Sequence, residues 1–341
     1  MPRLTHPLTG GVYELESEGR VRVEEGERVG WFDAHGVWQR GELRHADAQM
    51  IGWLAGARRA VAAAPGAKAA EPRHRARERG EAAQEESKHM DLGLTGQRAL
   101  VTAASRGIGR AIAEALAAEG ASVAICARSE GGLEEARKQL ESHGVEVFTA
   151  ALDVGDGDRL RGFVAEAAEA LGGLDIAVCN ASGGAGMGEE AWQANFDVDL
   201  LGATRVVEAA TPFLDASETG SVVFISSTAA LEFLGVAQPY NAIKAALIAH
   251  ANDLSQSLAP RGIRVNTVSP GPIYFEGGSW EMIKHAMPEM YERALGSCAL
   301  GRMGTPEEVA RAVVFLASPA ASLITGANLV ADAGFTKRVS Y

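Results

Sequence analysis

Two rhythms of apolar and polar residues divide the chain. Over roughly residues 10–45, GVYELESEG, RVRVEEGERVGWF and GVWQRGEL alternate apolar and polar positions between glycine-containing turns. A period of two turns one side of each strand inward and the other outward, so this stretch predicts a small antiparallel meander. A short helix over DAQMIGWLAGA is predicted to follow. Trp31, Phe32, Trp38, Ile51 and Trp53 are available to pack together, against the rest of the chain, or against another subunit. The region is too small to bury much core alone. Residues 59–90 are dense in alanine and charge and almost free of large apolar side chains, as in a linker or a solvated helix.

From residue 91 onward, apolar runs alternate with alanine-rich helical patterns. The runs are RALVTA, SVAICA, VEVFTAAL, LDIAVCNAS, SVVFIS, IRVNTVS and ANLVADA. Nearly continuous apolar strands between amphipathic helices indicate a parallel sheet covered on both faces, joined by right-handed crossovers. The predicted fold is α/β: a mostly parallel seven-stranded sheet covered on both faces, with the antiparallel β region as an N-terminal addition. The expected divisions are 1–58, 59–90 and 91–341.

Composition narrows the functional classes. The 40 glycines follow no three-residue period, so they mark turns, and 47% hydrophobic content suffices for a large core. A net charge of −12 argues against nucleic-acid partners and against anionic membrane surfaces. No run approaches the ~20 apolar residues of a membrane span, and no signal-like segment opens the chain, so a cytoplasmic protein is expected. Cys126, Cys179 and Cys298 lack disulfide or metal-ligand spacing, and no metal is expected.

The chemistry starts at VTAASRGIGR, residues 101–110. A strand turns through Ala103, Ala104, Ser105 and Arg106 into a helix near Gly107. Gly107 and Gly109, flanking Ile108, would let the backbone approach a pyrophosphate at the helix N-terminus. The next strand ends at Arg128, where an acidic residue would accept ribose hydroxyls. Arg128 and Arg106 instead suit a 2′-phosphate, which favours NADP and leaves NAD possible. Asp153, beside Val154, is a candidate acceptor for the adenine amino group or, alternatively, a cap for the following helix. In QPYNAIKAALIAHANDLSQSLAPRG, Tyr240 and Lys244 share a helix face. An ordinary phenol has a pKa of about 10, and a neighbouring ammonium favours its phenolate. Ser227, at a strand end, has a hydroxyl suited to polarising a carbonyl.

With these motifs in this order, residues 95–336 resemble the short-chain dehydrogenase/reductase family, and more loosely its 3-oxoacyl reductase-like members. The resemblance implies a Rossmann-like, doubly wound fold binding NAD(P), with Ser227, Tyr240 and Lys244 catalytic. It implies that CNAS places Asn180, Ala181 and Ser182 beside the cofactor. It assigns PGPI, with Pro270, Gly271 and Ile273, to the loop along the nicotinamide. GRMGTPEEVARAVVFLAS and TGANLVADAG resemble the C-terminal signature that supports subunit packing in relatives, which implies a homotetramer or homodimer.

Three positions depart from the family pattern. Ala103 replaces the first glycine; with φ below zero its methyl is tolerable, with φ above zero it costs about 1 kcal/mol or more. Asp199 replaces the asparagine that completes the catalytic set and brings a negative charge towards Lys244. Phe275 replaces a threonine that touches the carboxamide in relatives. The expected activity is interconversion of a carbonyl compound and a secondary alcohol, with an apolar ketone or 3-oxoacyl-type substrate preferred. The alternative is a catalytically weak NADP-binding scaffold or sensor. In related enzymes a substrate lid forms here, so YFEGGSWEMIKHAMPEMYERALG is expected to offer Phe275, Trp280, Met282, Met287, Met290 and Tyr291 as an apolar wall, with ordinary packing or a subunit interface as the alternative. The N-terminal region is expected at a subunit interface, with covering of a neighbouring site or binding of another partner as alternatives.

Overall fold

The computed structural model describes residues 3–5, 11–16, 20–33, 37–46 and 91–338. The helix predicted near DAQMIGWLAGA, with Ile51 and Trp53, and the 59–90 stretch lie outside the described residues. The chain divides into two units, 1–86 and 87–341.

The first unit holds a five-stranded antiparallel meander: β1 (Arg3–Thr5), β2 (Val12–Leu15), β3 (Val21–Glu25), β4 (Arg28–Phe32) and β5 (Trp38–Gly41), paired in that order. Alternation sorts its side chains. Tyr13, Leu15, Val21, Val23 and Phe32 form a core with Leu43. Trp31, one residue from Phe32, faces the other way. Its indole N–H donates to Glu16 at 3.2 Å, and the Arg40 guanidinium lies 4.6 Å from the ring centroid. Trp38 is also outside this core, at 39% exposure. Among the described residues, Trp31 and Trp38 therefore stay out of the core that Phe32 joins, and alternation separates Trp31 from Phe32.

The second unit carries seven strands: β6 (Arg98–Val101), β7 (Ser122–Ala127), β8 (Val147–Ala151), β9 (Ile176–Cys179), β10 (Ser221–Ile225), β11 (Arg264–Pro270) and β12 (Asn328–Ala331). They pair in parallel in the order β12-β11-β10-β9-β6-β7-β8. Helices α1 (Gly107–Ala118) and α2 (Glu130–Glu141) cover one face. The other carries α3 (Gly157–Leu171), α5 (Gly202–Leu214) and α6 (Pro239–Leu258), with the short α4 (Gly188–Asn195) preceding α5. Beyond β11 come α7 (Ser279–Ala286), α8 (Pro288–Ser297) and α9 (Pro306–Ala317); α9 packs beside α1. Every β9 and β10 residue is buried, which explains why they are apolar but for Ser221 at the start of β10. The strand order reverses between β6 and β9, and ligands in such sheets bind outside the strands' carboxyl ends at that reversal.

At the opposite end, Arg98 grips Asp175 through Nε and Nη2, both at 2.8 Å. Burial raises the Asp175 carboxyl, but hydrogen bonds from Arg98 and Ser217 outweigh it and hold the group below the usual carboxylate range. The three cysteines are free and buried, and burial pushes the Cys126 and Cys179 thiols up to about 12.

Candidate active site

Ala103 takes φ = +53°, so the first glycine position keeps its left-handed backbone although it now carries a methyl. Ala333 is the other described non-glycine residue with positive φ, at +55°. Gly107 has φ = +57°, and a Cβ there would lie 2.7 Å from the Phe275 ring. A Cβ on Gly109 would lie 2.6 Å from the Ala103 carbonyl oxygen. Both glycines are therefore steric requirements of this turn. Arg106, the residue before α1, provides no side-chain cap, so the helix's first N–H groups have no side-chain acceptor. An uncapped helix N-terminus lined by glycine suits a phosphate. Ser105 is half-buried, and Ile108 packs against the core beneath.

Asn180, just beyond β9, ties this turn to its neighbour. Its backbone N–H donates to Thr102 Oγ1, and its Nδ2 donates to the carbonyls of Thr102 and Ala103 at 3.0 and 3.2 Å. Ala181 is buried and Ser182 exposed. Arg128 is exposed at the end of β7, with no bonded partner among the described residues. Arg106 donates through Nη1 to Gly277 O at 2.6 Å. Asp153 accepts from the Gly155 N–H at 2.8 Å, while Asp156 caps α3; the cap predicted at Asp153 is thus a local turn. Val154 is buried.

The predicted catalytic side chains stand on α6 and just beyond β10, where Lys244 meets Asp199. Lys244 Nζ donates to Ile225 O at 2.8 Å and pairs with Asp199 Oδ1 at 2.9 Å. The two side chains are 3% and 0% exposed, so this charge pair is fully enclosed. Asp199 Oδ2 accepts from the Gly183 N–H at 2.6 Å. Asp199 stands in a π-helical turn, Phe196–Leu201, a feature frequent at functional sites. Tyr240 begins one turn before Lys244, whose Nζ lies 5.8 Å from the phenol ring centroid. Ser227, two residues past β10, accepts from the Ala229 N–H, and Ser226 Oγ donates to the Lys244 carbonyl.

The loop after β11 runs from Pro270 through Gly271, where a Cβ would lie 2.7 Å from Asp332 Cα, to Ile273, which bridges to Gly304. The apolar wall expected in the lid is only partly realised. Trp280 and Tyr291 pack with Tyr274, Ala294, Cys298 and Met303 into a local core. Phe275 turns towards Gly107, whereas Met282, Met287 and Met290 are exposed at 65%, 50% and 39%. His285 is exposed. Sequence reasoning missed two contacts: Asn195, buried on α4, and Arg338, which donates to Leu231 O in the loop after Ser227.

Residues 102–336 match the family model described as Enoyl-(Acyl carrier protein) reductase. The chain belongs to the short-chain dehydrogenase/reductase family. This makes it an NAD(P)-dependent oxidoreductase of carbonyl and alcohol compounds. One similar short-chain dehydrogenase/reductase is isoepoxydon dehydrogenase patN from Penicillium expansum, 38% identical over 250 residues, covering 72% of this chain and 96% of that one. Another is human dehydrogenase/reductase SDR family member 4, 35% identical over 254 residues, covering 72% and 90%. Among solved structures, L-sorbose reductase from Gluconobacter frateurii, complexed with NADPH and L-sorbose, aligns with TM-score 0.68 and 30% identity over 73% of this chain and 100% of that one. The residues before 102 lie outside the family match. No described helix is long and apolar enough to cross a membrane.

Proposed function

We propose that this short-chain dehydrogenase/reductase reduces an apolar ketone or 3-oxoacyl-type carbonyl with NADPH, NADH being a poorer alternative. The observation that carries the reading is the buried Lys244 ammonium, hydrogen-bonded to Ile225 O and ion-paired with Asp199, one helical turn from Tyr240. The residues fit a dinucleotide: Gly107 and Gly109 clear the approach, the uncapped start of α1 faces the diphosphate, and Asn180, Ala181 and Ser182 with Pro270, Gly271 and Ile273 flank the nicotinamide half. Arg106 and Arg128 are the cations for a 2′-phosphate, and Asp153 and Val154 border the adenine. L-sorbose reductase, solved with NADPH, supports the cofactor preference.

The bound cofactor supplies the hydride. Tyr240 gives its phenolic proton to the carbonyl oxygen that becomes the alcohol. Ser227 donates a hydrogen bond to the same oxygen as negative charge develops there. Lys244 would hold the cofactor's ribose through an ammonium N–H, and it presents positive charge to the phenol. Asp199 holds that ammonium directly, in place of an asparagine. Exposed Met187, Phe233 and Val236, with the lid methionines, supply apolar surface on the segments that follow β9, β10 and β11. The enzyme works as a homotetramer or homodimer, with the N-terminal sheet at an interface.

A panel of carbonyl compounds assayed with NADPH and NADH in parallel tests this reading. Turnover lost in Tyr240→Phe with NADPH binding retained supports it. Full turnover in that variant refutes the acid assignment, and tight NADPH binding without turnover across the panel would favour a scaffold or sensor.

A further inference from the structure

Asn195, the last residue of α4, is 1% exposed, which is unusual for an amide in a short surface helix. Its Nδ2 donates to Gly184 O at 3.1 Å and to Ala191 O at 2.8 Å, while its Oδ1 is buried without a protein donor. This orientation is fixed, because exchanging the amide atoms would aim an oxygen at two carbonyls.

The turn it grips is held from both sides. Asn195 binds the Gly184 carbonyl; four residues later, Asp199 accepts from the Gly183 N–H at 2.6 Å. A Cβ on Gly183 would lie 2.8 Å from Ala194 O, so the turn lies hard against the end of α4. The other Asp199 oxygen faces Lys244 Nζ at 2.9 Å. A carboxylate has two oxygens but a single plane, so tilting one away from Gly183 tilts the other away from the ammonium. Fixing the turn therefore fixes the carboxylate, and the carboxylate fixes the lysine.

We propose that Asn195 is a positioning residue for Lys244, acting through the Gly183–Gly184 turn and Asp199. The inference rests on the oxidoreductase reading of Lys244 but not on any particular substrate. If Asn195 works through Asp199, its removal should matter only while the carboxylate is present. Truncation elsewhere in the fold would instead give equal losses in either background.

The experiment is a double-mutant cycle on the full chain with Asn195→Leu, Asp199→Asn and the pair, and Asn195→Ala as a second truncation in case leucine does not fold. Turnover, NADPH affinity by fluorescence titration and amide exchange of the 183–184 segment are measured for each. Asn195→Leu should lower kcat at least tenfold, leave the KM for the carbonyl within twofold and weaken NADPH binding several-fold. In the Asp199→Asn background both losses should shrink to less than twofold. Exchange at 183–184 should rise at least tenfold on truncation. Equal losses in the two backgrounds, or unchanged exchange, would overturn the proposal. If the unmodified protein turns over no carbonyl, the oxidoreductase reading fails, and the NADPH-binding and exchange measurements still decide the role of Asn195.

Discussion

Replacing Ala103 by glycine should stabilise the protein, although it removes a half-buried methyl. The left-handed region costs an L-residue about 1–2 kcal/mol, and φ = +53° puts Ala103 within it. Against that, glycine adds about 0.5–1 kcal/mol of chain freedom to lose on folding. Ala103 also packs partly against the apolar core, and half a buried methyl contributes about 0.4 kcal/mol. The net gain is about 0.5 kcal/mol. Ala333 at φ = +55° adds a similar amount, so the double variant gains about 1 kcal/mol, or about 2–4 °C for a domain of this size. Thermal and urea unfolding of Ala103→Gly, Ala333→Gly and the pair measure it, with Ala113→Gly as control. Ala113 is buried within α1, so the same substitution there must destabilise, by about 1 kcal/mol or more. Opposite signs are expected from one chemical change. If all three variants lose stability, backbone strain is not what distinguishes these alanines.

Other outcomes follow from the same contacts. Gly109→Ala should abolish NADPH binding or unfold the turn, read by fluorescence titration and circular dichroism, because a Cβ there meets the Ala103 carbonyl at 2.6 Å. Arg98→Ala leaves the buried Asp175 carboxylate without its guanidinium and should cost about 1.5–3 kcal/mol in urea unfolding. Glu308 is held down at about 2, from 4.5, first by the Arg302 side chain and then by the Thr305 N–H. A depressed carboxyl stabilises the fold above its unfolded value, so this contribution is present above pH 4.5 and disappears as pH falls towards 2. The pair is exposed and screened, so the loss stays below about 1 kcal/mol; Glu308→Gln should flatten the dependence of Tm on pH over that window. Deleting residues 1–90 should lower the number of subunits per particle seen by light scattering; an unchanged subunit count with altered substrate selectivity would overturn an interface role for the N-terminal sheet.

The parallel sheet was legible because buried strands leave long apolar runs and the helices between them keep one apolar stripe. Lys244 and Tyr240 were legible as a pair because four residues make one helical turn. The backbone at Ala103 was not: an alanine carries no mark of its φ, and both signs stayed open until the loop was placed. Trp31 and Phe32 look alike in composition, and only register assigned one to the core and the other to Arg40. Asn195 escaped because its partners are backbone atoms of a turn reached through space. The lid divided because Trp280 and Met282, two residues apart in α7, point to different sides of the helix, and only the tryptophan has a local core to join.

The enclosed pairing of Lys244 with Asp199 also changes what a lysine knockout means in this protein. Removing the ammonium leaves a carboxylate sealed from water with a single backbone donor, and breaking such a pair costs about 3–5 kcal/mol. An inactive Lys244→Ala sample would mix lost chemistry with lost folding. The clean comparison starts from Asp199→Asn, where the lysine can be exchanged without orphaning a charge. The same asymmetry orders the substitutions by which such a site can arise: the aspartate is tolerable only where the lysine already stands, and once it is there the lysine is held for stability as well as for turnover.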